Sequence, residues 1–133
     1  MLTMSRKPTL PRPTDAEMKI LRVLWERGTA TVRQVHEALS STESLGYTSV
    51  LKVMQVMTDK GLVTRDTSLR PQVYRATEER ERTQGSLLRD LAERAFGGSA
   101  AGLALRALSM ERATPAELAE VRALLDELEG GAR

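Results

Sequence analysis

The chain has 133 residues, 41% of them hydrophobic, no cysteine and a formal charge of +2. That length allows one domain or two very small ones, and the missing thiols exclude disulfides, cysteine nucleophiles and Cys-ligated metal. No apolar run approaches the ~20 residues of a membrane span, and Met1 to Pro13, with Arg6, Lys7, Arg12 and three prolines, lacks the apolar stretch of a signal peptide. A loose basic arm, no membrane insertion and a reducing, cytoplasmic setting are therefore expected. With only Trp25, Tyr47, Tyr74 and Phe96 as aromatics, the core must be built from Leu, Val, Met and Ala, which suits helices. The charge is divided: residues 1–77 carry 12 basic against 7 acidic side chains, residues 78–133 carry 8 against 11. A basic front half and an acidic back half suit a polyanion at one end and protein at the other, although small domains also differ by a few charges by chance.

The first helix is expected from Thr14, whose hydroxyl with Glu17 three residues on makes a capping box. Met18, Leu21, Leu24 and Trp25 form its buried stripe, and Gly28 follows as the C′ residue. Thr31 and Gln34 repeat the box ahead of a short helix carrying Val32, Val35 and Leu39. Ser40 to Gly46 reads as a polar turn, and a third helix then runs to Gly61. Leu62–Asp66 and Gln72–Ala76 read as paired strands, with Thr67–Pro71 between them and Arg70 near the tip. Two strands alone are marginal and need the helices behind them, which is the arrangement of a winged helix-turn-helix over residues 14–77.

Thr77 is expected to cap a fourth helix, with Glu78, Glu79 and Glu81 in its first turn, running to about Phe96 with Leu87, Leu88, Leu91 and Ala95. Gly97-Gly98 breaks it, and Leu103, Leu105 and Leu108 mark a short helix. Thr114-Pro-Ala-Glu117 is a strong start signal for a last helix with Leu118, Val121, Leu124, Leu125 and Leu128, fraying at Gly130-Gly131. The fold class is thus mainly α with a small two-stranded β-wing, followed by a three-helix region at 78–133. A segment so short buries little surface alone. Its stripes, with Leu88, Leu91, Leu105, Leu108, Leu118, Val121, Leu125 and Leu128 as interface candidates, are expected to close on a second copy in a two-fold homodimer; the alternative is packing on the chain's own first domain.

The third helix carries the functional signal. On a 3.6-residue period Val50, Val53, Met54 and Met57 share one side, while Thr48, Lys52, Gln55 and Asp59 share the other with Val56 beside them. The second face is short, polar and cationic, and a helix lays such a face into the major groove of double-stranded DNA. Lys52 matches guanine O6/N7 and Gln55 matches adenine bidentately, though either can meet phosphate instead. Thr48 or Ser49 contacts DNA or caps the helix, and Val56 meets a thymine methyl or is an ordinary exposed valine. Leu51 lies at the edge of the core or of the groove. Thr31, Arg33, Tyr47, Lys60, Arg65, Arg70 and Arg75 are the candidates for phosphate contact; each cation alone is a surface charge, and the set spread over wing and helix ends fits a DNA backbone. Trp25 belongs to the core. His36 is the one histidine and has no ligand partners for a metal site. The carboxylates alternate with Arg as in Glu78-Glu-Arg-Glu-Arg82, a solvated pattern, and no phosphate-binding glycine loop is present. No enzyme activity, metal or cofactor is expected.

Taken together, Leu24-Trp-Glu-Arg-Gly28, Ala30-Thr-Val-Arg-Gln-Val-His-Glu-Ala-Leu39 and Tyr47-Thr-Ser-Val50 with Lys60-Gly-Leu-Val63 resemble the BlaI/MecI/CopY family of bacterial transcriptional repressors, most closely over residues 14–77. The resemblance implies a dimer that binds a palindromic operator. In β-lactam-responsive members it implies a membrane sensor metallopeptidase that triggers cleavage in the helical tail, and in copper-responsive members a cysteine-rich C-terminus. Without cysteine the copper mode is excluded, and Arg106-Ala107 stands where cleaved members carry Asn-Phe. Leu51 stands where some members place an arginine, which implies a different operator. A winged-helix protein–protein adaptor that no longer binds DNA is the other reading, but such modules lose the cations that Lys52, Arg65, Arg70 and Arg75 retain here.

Overall fold

Thr14 and Glu17 start the first helix as a reciprocal pair: the Glu17 N–H donates to Thr14 Oγ1 at 3.2 Å and the Thr14 N–H to Glu17 Oε1 at 2.9 Å. The computed structural model describes residues 10–42 and 44–131, so most of the basic arm lies outside the described residues. Its elements are α1 (Asp15–Arg27), α2 (Val32–Ser40), α3 (Tyr47–Lys60), β1 (Val63–Asp66), β2 (Val73–Ala76), α4 (Arg80–Ala95), α5 (Ala100–Met110) and α6 (Pro115–Gly131). The chain divides into two compact units between Leu87 and Leu88, inside α4.

In the first unit α1, α2 and α3 close around Ile20, Leu21, Leu24, Val35, Val50, Met54 and Met57, all essentially inaccessible. Thr31 and Gln34 cap α2 with the same reciprocal bonds. Gly28 and Gly61 end α1 and α3 at φ of 85°, a region that a Cβ disfavours. The chain then turns into β1, which pairs antiparallel with β2 in the register Val63↔Ala76 to Asp66↔Val73. Ala30 adds a bridge on the other edge of β2, exchanging backbone hydrogen bonds with Tyr74 at 3.0 and 2.8 Å. This third partner, with Val63 and Tyr74 buried in the core, steadies a pair of four-residue strands that would be marginal alone.

Two expectations about helix ends are corrected. Thr77 does not cap the fourth helix. Its N–H donates to the Leu62 carbonyl at 3.0 Å, and the Trp25 indole N–H takes the Glu78 carbonyl at 2.9 Å. Those two bonds tie the backbone of the segment to the first unit ahead of the helix, so α4 begins at Arg80 and only Glu81 of the three acidic residues lies in its first turn. At the other end α6 continues through Gly130 to Gly131 instead of fraying. In the second unit Thr114 and Glu117 form the expected box ahead of α6, and Ser99 caps α5 through the Gly102 N–H at 2.8 Å.

Among the described residues of the first unit one charged side chain is buried. Glu17, 3% exposed, receives the Lys60 ammonium on Oε2 at 2.8 Å. Burial alone pushes its carboxyl upward, but the Lys60 hydrogen bond, the Thr14 N–H and the charge of Lys60 outweigh it and hold the group below its ordinary 4.5. A carboxyl depressed in the fold contributes stability that is present above its unfolded value and lost as the pH falls through the folded one. Glu17→Gln keeps an oxygen for the cap but loses the ion pair. It is expected to be less stable by about 1 kcal/mol at neutral pH, with the gap to wild type closing in acid, as the pH falls below the ordinary carboxyl value of 4.5 and through the lower folded one. Urea unfolding at neutral and acid pH checks this; a gap that stays constant contradicts it.

Candidate nucleic-acid interface

The helix α3 has one side in the core and one side in solvent. Val50, Met54 and Met57 are fully buried, while Thr48, Ser49, Lys52, Gln55 and Val56 are all exposed. Val53, expected on the buried side, is half-buried and packs at the edge of the core, as does Leu51. The helix starts at Tyr47 with Gly46 as its N-cap residue and no side-chain capping bond. The alternative roles of Thr48 and Ser49 as caps therefore fall away: both hydroxyls sit inside the first turn, at its positive end, on the same solvent face as Lys52 and Gln55.

The candidates for phosphate contact separate into groups. Arg33 and Tyr47 meet across the α2–α3 corner, the Arg33 guanidinium 5.9 Å from the Tyr47 ring centre. His36 lies edge-on to the same ring at 6.0 Å and 81°. Two side chains of α2 thus lie against the tyrosine, which is still 43% exposed. Contacts of this kind fix a rotamer that would otherwise be free. His36 has a structural neighbour that the sequence alone could not supply. The Thr31 hydroxyl accepts the Gln34 N–H, so it serves the α2 cap. Arg65, Arg70 and Arg75 are exposed on the wing. Between them the Asp66 carboxylate accepts both the N–H and the hydroxyl of Ser68, at 3.0 and 2.6 Å, which shapes the loop and holds the carboxyl below its usual range. Lys60 differs from all of these: it is half-buried and its ammonium is on Glu17.

A cleft of about 490 Å³ joins the helices to the wing. Val32, Leu51, Pro71 and Tyr74 line it together with Thr31, Gln72, Tyr47 and the two cations Arg33 and Arg70. Periodicity along one helix cannot show such a place, because its walls come from three separate elements. Gln72 and Pro71, not singled out in the sequence, enter the site through it. Among the described residues no cluster of His, Cys, Asp or Glu is placed to hold a metal ion, and no helix is long and apolar enough to cross a membrane.

The second unit presents another kind of surface. α5 and α6 bury no residue, and α4 buries only Ala92. Of the eight apolar candidates for a self-interface, Leu118 and Val121 are half-buried; Leu88, Leu91, Leu105, Leu108, Leu125 and Leu128 are exposed, Leu105 by 70%. Arg106 and Ala107 lie inside α5.

The sequence model of the penicillinase repressor family matches residues 13–127. The chain belongs to the penicillinase repressor family. It is also 35% identical over 123 residues to the transcriptional regulator BlaI of Mycobacterium tuberculosis, in each of two strains (CDC 1551 / Oshkosh and ATCC 25618 / H37Rv). The match covers 92% of this chain and 88% of the relative. The penicillinase repressor match runs from the α1 cap through most of α6 and so includes both units. It places the chain among transcriptional regulators of the BlaI type rather than in a class of enzymes.

Proposed function

We propose that this penicillinase repressor family member is a dimeric, cytoplasmic repressor that binds a palindromic DNA operator through the exposed face of α3 and its β-wing. The observation that carries the reading is the division of α3 into a buried side and a polar, cationic solvent side: Thr48, Ser49, Lys52, Gln55 and Val56 for base edges. Arg33, Tyr47, Arg65, Arg70 and Arg75 supply the sequence-independent grip on the backbone. A second copy held through the exposed leucines of α4, α5 and α6 presents two such helices to two half-sites. A sensor peptidase acting on this tail would have to unwind α5 to reach the Arg106–Ala107 bond.

Selection of duplexes from a random-sequence pool by the full-length protein tests the reading. The expected product is a two-fold symmetric motif with half-sites about one helical turn, or a multiple of it, apart. Recovery of no motif contradicts it and favours the adaptor alternative. Arg70→Ala, on the wing, is expected to weaken binding to every sequence alike and to lower the slope of log K against log salt by about one contact. A loss confined to the selected motif in that variant contradicts a phosphate role for the wing.

A further inference from the structure

The ion pair between Lys60 and Glu17 joins the last residue of α3 to the first turn of α1, 43 positions earlier. Each charge sits where its own helix favours it: the carboxylate at the N-terminal end of α1 and the ammonium at the C-terminal end of α3. Glu17 is buried and Lys60 half-buried, so the contact is sheltered from the screening that weakens surface pairs. Glu17 is further tied to Thr14 by both bonds of the capping box, so the carboxylate is a fixed anchor and not a mobile counter-charge. Hydrophobic packing of Val50, Met54 and Met57 fixes which side of α3 faces inward. Packing of unbranched methionines tolerates small rotations and slides of the helix. A directional bond at one end does not.

From this geometry we infer that Glu17 and Lys60 are positioning residues for DNA recognition: their ion pair sets the rotation and depth of α3, so that Lys60 acts through Glu17 and not by touching phosphate. The inference rests on the reading of α3 as the DNA-reading helix. Lys60 would otherwise count among the cations of the interface, where charge and position along the helix had placed it. The two roles predict opposite consequences for the same variant. Glu17→Gln keeps an oxygen for the Thr14 N–H and releases Lys60. If Lys60 contacts phosphate, release and the loss of a nearby negative charge leave binding unchanged or tighter. If Lys60 is a clamp, α3 loses its register and base contacts suffer.

The test compares wild type, Glu17→Gln, Lys60→Gln and the double variant, each shown to be folded by its thermal melt. Affinity is measured for the selected operator and for a scrambled duplex at several salt concentrations. The expected result is an operator affinity lower by about tenfold in each single variant, with the double variant no worse than either. Affinity for the scrambled duplex and the salt slope stay as in wild type. Glu17→Gln binding as tightly as wild type, or Lys60→Gln alone losing about one unit of salt slope, overturns the inference. Hydrogen exchange of the α3 amides gives a readout without DNA: faster exchange near Lys60 in Glu17→Gln supports the clamp, and unchanged exchange overturns it. If wild type prefers no duplex, the DNA-binding reading fails, and this exchange measurement still decides whether the ion pair holds α3.

Discussion

Replacing Leu105 and Leu128 together by aspartate is expected to turn the proposed dimer into monomers and to weaken operator binding by about a hundredfold or more. Both side chains are well exposed, at 70% and 60%, on helices that have no fully buried residue. A charge at either place therefore meets water in the monomer and costs the fold little. In a dimer the same charge would be buried against leucine without a partner, which is strongly unfavourable. A monomer keeps one α3 and one wing, and it loses the gain of about 10²–10⁴ that comes from making the second half-site contact intramolecular. Sedimentation and operator titration of the same preparation check both halves of the expectation. A double variant that stays dimeric contradicts the placement of the interface; one that is monomeric yet binds the operator as tightly as wild type contradicts the need for two copies.

The second large effect is expected at the reading face. Lys52→Ala and Gln55→Ala should each cost about 1–3 kcal/mol of operator binding and relax preference at one position per half-site. Their combination in both protomers should erase most of the difference between operator and scrambled DNA. Both side chains are exposed and neither serves a cap or the core, so the melting temperature should stay near that of wild type. Operator affinity unchanged in both variants would mean that another surface reads the sequence.

Much of the first unit was legible because its signals are local. Thr14 with Glu17, Thr31 with Gln34 and Thr114 with Glu117 are three residues apart, and all three boxes form. The buried side of α3 follows from a 3.6-residue period, and Val50, Met54 and Met57 lie on it. Local reading failed where a distant group decides. Thr77 looks like a cap, but Leu62 and Trp25 claim the backbone around it. Thr48 and Ser49 look like caps, but the helix starts two residues earlier than a threonine cap requires. Lys60 looks like a surface cation, and only the fold brings Glu17 to it. The grip of Arg33 and His36 on Tyr47, and the cleft between α2, α3 and the wing, likewise depend on how elements meet. The exposed leucines of the second unit follow from composition and period; what covers them does not.

The central claim, that α3 and the wing bind a specific operator as a dimer, is tested most directly by titrating the DNA upstream of this protein's own gene beside a scrambled duplex at several salt concentrations. The account predicts tight, sequence-selective binding at two protomers per site, weakening steeply as salt rises because several phosphates are neutralised. Equal, weak binding to both duplexes, joined by failure to select any motif from a random pool, would contradict it.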